Sequence, residues 1–168
     1  MGSHGPAYAK RSSAESKLFK PECTTEVLAD CGHSELMNAY DNSIVETDRF
    51  LGATIDWLKA ESSRYDTGML YLSDHGESLG EYGQFLHGLP YSVAPDVQKH
   101  VPMVSWLSPD LQKRENLSGA CLRASSDKPY THDNLYHSVL GVLDVHSPSY
   151  HADADIFGHC SAVASAQQ

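Results

Sequence analysis

From residue 34 to residue 60, apolar or half-apolar side chains return every third or fourth position: Leu36, Tyr40, Ile44, Thr47, Leu51, Ile55 and Leu58. Residues so spaced share one face, which predicts a single long helix of about seven turns with one buried stripe. Ser34 is the expected N-cap, and Glu35 suits the first turn. Asp41, Glu46, Asp48, Asp56, Lys59 and Glu61 fall mostly on other faces, and Gly52 lowers helix propensity without breaking the pattern. After polar residues 62–66 the period changes. Residues 67–72 are too apolar for strict alternation and predict a strand covered on both faces. Residues 101–107 predict a second strand, with Pro102 tolerated near its start. Between the two lies a long loop, a length uncommon unless functional, within which a short helix or hairpin would fit. Residues 111–129 are polar and expected to be peripheral, and a second helix opens at Thr131 or His132 with Leu135, Val139 and Val142 as its apolar face. Residues 145–150 are the expected closing element. The expected organisation is therefore an irregular segment at 1–33, an α/β core at 34–160 and a polar, fraying tail at 161–168.

Composition narrows the partners. A chain of 168 residues is one domain by length, and its 40% apolar content is ordinary for a folded protein. Twelve basic against 22 acidic residues leave a formal charge of −10, which argues against nucleic acid as a partner. No apolar run approaches the roughly 18–20 residues of a membrane span, and the first residues carry no signal-peptide pattern. The four cysteines form no CxxC pair, so a structural zinc ribbon is not expected. Cys23 and Cys31 are spaced for a small disulfide-closed loop, and Cys121 with Cys160 is a candidate long-range bridge; free buried thiols are the alternative. Both bridges together would imply an oxidising compartment.

Candidate chemistry gathers just after the first predicted strand, at Asp74 and His75. The C-terminal ends of strands are where open α/β sheets place their ligands. Neighbouring side chains on a regular strand point to opposite faces, so joint ligation needs the chain to turn here, a freedom that Gly76 supplies. Zinc accepts both carboxylate oxygen and imidazole nitrogen. The competing reading makes Asp74 the cap of a helix that begins at Gly76-Glu77, with His75 packed locally. His87 and His4 are each either a ligand or an ordinary loop residue on residue type alone. Glu77 and Glu81 are acid–base candidates only by type, and for Glu77 the expected role is a hydrogen bond to a ligating histidine. The six histidines from His100 onward are not expected to be ligands, and Asp153 and Asp155 beside His151 form at most a weak site. No GxSxG, HExxH, Walker or dinucleotide fingerprint is present.

Several segments together do carry a resemblance. Gly2-Ser-His-Gly-Pro6, Tyr40-Asp-Asn-Ser-Ile-Val45, Tyr71-Leu-Ser-Asp-His-Gly-Glu-Ser-Leu-Gly-Glu81, Leu86-His-Gly-Leu-Pro-Tyr91, Val101-Pro-Met103 and Asp133-Asn-Leu135 resemble, in order, the lipid A phosphoethanolamine transferases. That family includes the mobile colistin-resistance enzymes, inner-membrane proteins with a periplasmic catalytic domain. The resemblance implies an α/β fold: part of a sulfatase/alkaline-phosphatase-like sandwich, with a central, largely parallel sheet flanked by helices. It implies zinc ligands at Asp74 and His75, and a pair at His4 and His87 that holds the phosphoethanolamine group or a second zinc. The Cys23–Cys31 spacing resembles one of the family's disulfides. In the family a threonine takes phosphoethanolamine from phosphatidylethanolamine and passes it to a phosphate of lipid A. That threonine and a further carboxylate ligand lie upstream of the Gly-Ser-His-Gly-Pro motif, and none of Thr24, Thr25, Thr47, Thr54, Thr67 and Thr131 matches its context. The chain is therefore expected to correspond to the C-terminal half of the catalytic domain, at the periplasmic face of the inner membrane in the full-length protein. It is expected to be inactive alone and to depend on the missing half or on self-association. A related sulfatase or phosphodiesterase, or a non-catalytic metal-binding remnant, are the alternatives; the paired histidines argue against the hydrolase.

Overall fold

The computed structural model describes residues 2–161, which divide into two compact units. Of these residues, the first comprises those up to 60 and 69–106, the second 61–68 and those from 107 onward.

In the first unit the irregular segment is folded by three short 3-10 turns, Tyr8–Lys10, Ala14–Ser16 and Leu28–Asp30, and by the Cys23–Cys31 disulfide. Helix α1, His33–Glu61, follows. It starts at His33, and Ser34 lies inside it rather than capping it. Glu35 instead reaches back so that the Gly32 N–H donates to its Oε2 at 3.1 Å, while the Gly32 carbonyl accepts from Leu36 N–H. This is the backward half of a capping box, and it satisfies backbone groups that the helix itself leaves orphaned. The predicted stripe is covered only over its first turns. Leu36, Ala39, Asn42 and Ser43 are buried, whereas Ile44 is 43% exposed and Leu51, Ile55 and Leu58 are half-buried. Asn42 lies off that stripe yet is fully buried. Its Oδ1 accepts from Phe19 N–H at 2.9 Å and its Nδ2 donates to the Phe19 carbonyl at 2.9 Å and to Glu22 Oε1 at 3.0 Å. One side-chain amide thus satisfies both backbone groups of Phe19, so residues 17–20 pack on the helix without joining a sheet.

Strand β1, Gly68–Leu72, leads into a hairpin of β2, Ser78–Leu79, and β3, Phe85–Leu86, paired antiparallel with Leu79 opposite Phe85. Strand β4, Met103–Leu107, pairs with β1. Ser108 N–H donates to Thr67 O at one end of this pair and Ser73 N–H to Pro102 O at the other, which fixes an antiparallel order. β1 is half-exposed rather than covered on both faces, because among the described residues it has this single neighbour. Parallel neighbours are not among the described residues. The core of the unit is Tyr8, Cys23, Leu28, Leu36, Ala39 and Leu79, with Tyr40, Phe85 and Leu86 packed against it. It therefore ties the irregular segment to the first half of α1 and to the hairpin.

Among the described residues the second unit contains three α-helices: α2, Pro109–Arg114; α3, Gly119–Ala124; and α4, Asp133–Val142. The first two occupy the stretch expected to be polar and peripheral, for which no helix was expected. Each is announced only by its cap, Ser108 accepting from Leu111 N–H and Ser118 from Cys121 N–H, both at 3.2 Å. The Cys121–Cys160 disulfide ties α3 to a final 3-10 turn, Gly158–Cys160. Asp155 is buried and accepts from Phe157 N–H and from the Tyr150 hydroxyl, both at 2.8 Å. Burial, together with this bond to the carboxylate, pushes the Tyr150 phenol up to about 12. Residues 145–150 contain turns and no helix or strand. Ser161 makes an isolated bridge to Leu117, and the rest of the expected tail lies outside the described residues.

Candidate active site

The end of β1 delivers the chain to Asp74 and His75 through local bonds. Ser73 Oγ donates to the His75 carbonyl at 2.9 Å, and Asp74 Oδ1 accepts from His75 N–H at 3.1 Å. At the next residue Gly76 N–H donates to the Gln98 carbonyl at 3.0 Å, and any Cβ there would overlap the Val97 carbonyl oxygen. Glycine is required here by close backbone approach, not by a positive φ. No helix begins at Gly76, so Asp74 caps none. The chain continues into the β2–β3 hairpin, which is anchored by Gln98 Nε2 donating to the buried Ser78 hydroxyl at 2.7 Å. The hairpin ends on Leu86, held at φ 66°, and so presents His87. A left-handed conformation costs a non-glycine residue about 1 kcal/mol; packing of the Leu86 side chain on the core offsets it. His4 arrives from the other direction, on a segment whose Gly5 abuts both Leu86 and the Tyr8 phenol with no room for a Cβ.

His4, His75 and His87 thus converge, with one ligand nitrogen from each lying within 4.8 Å of the others. Among the described residues no other group of three or more His, Cys, Asp or Glu is arranged in this way. The His75 and His87 rings stack at 3.8 Å between centroids, and His4 stands edge-on to both, at 5.7 Å and 4.7 Å. In each imidazole, Nδ1 faces an oxygen: the Gly5 carbonyl at 2.7 Å for His4, the Gly76 carbonyl at 3.0 Å for His75 and Glu77 Oε1 at 3.2 Å for His87. Carbonyl and carboxylate oxygens accept, so each Nδ1–H donates and Nε2 is left as the nitrogen able to bind a cation. An Nδ1–H fixed on an oxygen acceptor is the usual arrangement behind a metal-ligating histidine. Three imidazoles so prepared fit zinc.

Glu77 is buried and joins the pieces. Its Oε1 accepts from Gly5 N–H at 3.2 Å as well as from His87, and its Oε2 accepts from the Tyr8 hydroxyl at 3.0 Å. Asp74 lies outside the three-histidine cluster. Its side chain is 90% exposed, with Oδ2 3.8 Å from His75 Nε2. Asp74, His75 and His4 all line an open cavity of about 690 Å³, together with Tyr40, Ile44 and Phe50. His100 lines the same cavity without joining the cluster. Glu81 accepts from Leu79 N–H at 2.7 Å and so serves the hairpin turn. In the second unit His137 and His151 meet through a backbone bond, His151 N–H to His137 Nδ1 at 3.1 Å. Tyr8 and Gln98 went unnoticed in the sequence. The one signal available for Tyr8 was its place four residues after His4, since a buried tyrosine hydroxyl needs a partner.

Residues 1–145 match the sulfatase family. The chain is 45% identical over 161 residues to phosphoethanolamine transferase EptA of Salmonella typhimurium, covering 95% of this chain and 29% of that protein. It is 44% identical over 145 residues to phosphatidylethanolamine transferase Mcr-2 of Escherichia coli, covering 86% of this chain and 25% of that protein. Among solved structures, the soluble domain of lipooligosaccharide phosphoethanolamine transferase A from Neisseria meningitidis superimposes with a TM-score of 0.91 at 36% identity, over 95% of this chain and 48% of that one. The chain thus spans less than a third of the length of these curated relatives. With an α/β arrangement that superimposes on a transferase soluble domain, and with its histidine motifs inside the matched residues, the chain belongs to the sulfatase family.

Proposed function

We propose that this chain supplies the histidine side of the active site of a zinc-dependent transferase that moves phosphoethanolamine from phosphatidylethanolamine to a phosphate of lipid A. The observation that carries the proposal is the convergence of His4, His75 and His87 with every Nδ1 engaged and every Nε2 left available. In this reading His75 and Asp74 would hold zinc, and His4 and His87 would hold the phosphoryl group or a second zinc. Bound zinc would lower the pKa of an attacking hydroxyl and offset charge on phosphoryl oxygens. The work of the protein is placement. Glu77 fixes the His87 ring, the Gly5 carbonyl fixes His4, and the exposed Asp74 carboxylate remains able to turn toward a cation. The attacking threonine and a further carboxylate come, in this proposal, from residues outside the chain. Threonine Oγ would displace diacylglycerol from phosphorus, and a lipid A phosphate oxygen would then displace the threonine.

Two disulfides suit an oxidising compartment, which supports a periplasmic location at the inner membrane. No helix among the described residues is long and apolar enough to cross a membrane. Zinc titration of the chain and its His75→Ala and His87→Ala variants tests the site, with each variant expected to bind at least about tenfold more weakly. Zinc binding indifferent to both substitutions would overturn the metal reading. Turnover of a fluorescent phosphatidylethanolamine analogue by the chain alone would overturn the division of the site.

A further inference from the structure

Glu77 has more to do than orient one histidine. It lies two residues after His75, its Oε1 is shared between His87 Nδ1 and Gly5 N–H, and Gly5 follows His4. A single carboxylate is therefore the junction of all three segments that carry the histidines. An oxygen shared by two donors is held in place only if the rest of its carboxylate is held too. Tyr8 does this: its hydroxyl donates to Oε2 at 3.0 Å, and its ring, 1% exposed, is packed edge-on against Tyr40 at 5.5 Å in the core. Tyr8 also abuts Gly5, so one ring contacts the His4 segment and holds the carboxylate that orients His87.

We propose that Tyr8 is a positioning residue for the histidine cluster, acting through Glu77 to hold His4 and His87 at the separation that zinc binding needs. The inference rests on the metal reading given above, in the form in which His4 and His87 themselves hold zinc. Without the hydroxyl, Glu77 Oε2 loses a buried donor and the carboxylate is free to rotate, moving Oε1 away from either His87 or Gly5. The aromatic packing would be untouched by Tyr8→Phe, because the ring remains.

The test compares zinc affinity, by competition with a chromophoric chelator, for the 168-residue chain, Tyr8→Phe, Glu77→Gln and a packing control, Leu28→Ala. Zinc-free thermal unfolding is read for each. The expected result is a loss of affinity of about tenfold in Tyr8→Phe and no smaller in Glu77→Gln. Leu28→Ala should lower the zinc-free Tm more than Tyr8→Phe does, yet keep its affinity. Cobalt(II) absorption should shift in Tyr8→Phe and not in Leu28→Ala. Tyr8→Phe binding zinc as tightly as the parent chain, while His75→Ala does not bind, would overturn the role of Tyr8 and leave the site standing. No zinc binding by the parent chain would overturn both. Independently of any variant, ¹⁵N-histidine spectra of the parent chain should place the His87 proton on Nδ1; a proton found only on Nε2 would overturn the proposal.

Discussion

Glu46 illustrates how a residue's neighbours set its chemistry. Its Oε2 accepts from the Ser13 hydroxyl at 2.6 Å and from Ser13 N–H at 2.8 Å. These bonds, with help from Ser16 and Arg49, push its carboxyl down to about 2. A folded-state value below the unfolded one contributes stability that is fully present above about pH 4.5 and is lost as pH falls toward 2. The urea midpoint of the parent chain should therefore fall across that window, and Glu46→Gln should show a flatter acid arm; parallel curves would refute the assignment. In the sequence Glu46 was only a polar-face residue of a helix, because Ser13 lies 33 positions away. Asn42, Tyr8 and Glu77 share that history. A buried polar side chain is intelligible only with its partner, and here each partner comes from another element. The histidines were different: their candidacy came from motif resemblance, since residue types left His4 and His87 undecided.

Among the elements, α1 was the most legible, because a period near 3.6 sustained over 29 residues has no competing interpretation. α2 and α3, at six residues each, are too short to show a period, and only Ser108 and Ser118 could have marked them. Two glycines separate helix propensity from close packing. At Gly52, inside α1, a Cβ meets nothing within 4 Å, so Gly52→Ala should stabilise by about 0.5–1 kcal/mol. At Gly76 the same change drives a methyl into the Val97 carbonyl and should cost about 3 kcal/mol or prevent folding. Urea unfolding of the two single variants checks both signs. The disulfides differ by the loop they close, 8 residues against 39. Loop-closure entropy assigns about 2.5 kcal/mol to the first and about 4 kcal/mol to the second. Paired Cys→Ser variants should thus be destabilised more at Cys121–Cys160 than at Cys23–Cys31, as read by denaturant midpoints.

At the scale of the molecule, the core cluster of the first unit joins its irregular segment, helix and hairpin, but this unit leaves apolar surface uncovered. Phe50 and Trp57 on the second half of α1 are 68% and 62% exposed, and β1 is half-exposed with one neighbour. Exposed apolar side chains of this size favour association. Sedimentation velocity should show concentration-dependent self-association that Phe50→Ser with Trp57→Ser reduces; a monodisperse monomer at all concentrations would contradict it. The expected stripe on α1 failed for the same reason, since periodicity says which face is apolar and not what covers it. The amino-acid sequence by itself determined where the long helix and the two main strands run, where the cysteines allow bridges and which motif places Asp74 beside His75. Local dihedral preference and period suffice for the helix and the strands, whereas the bridges rest on cysteine spacing and the motif on its order of residues. It took the tertiary structure to show that His75 meets His87 and His4, and that Glu77 and Tyr8 bind the three segments together. Residues 4 and 75 lie 71 positions apart, and what brings them within ligand distance is packing of the Gly5 segment on Leu86 and Tyr8, a contact no periodicity encodes.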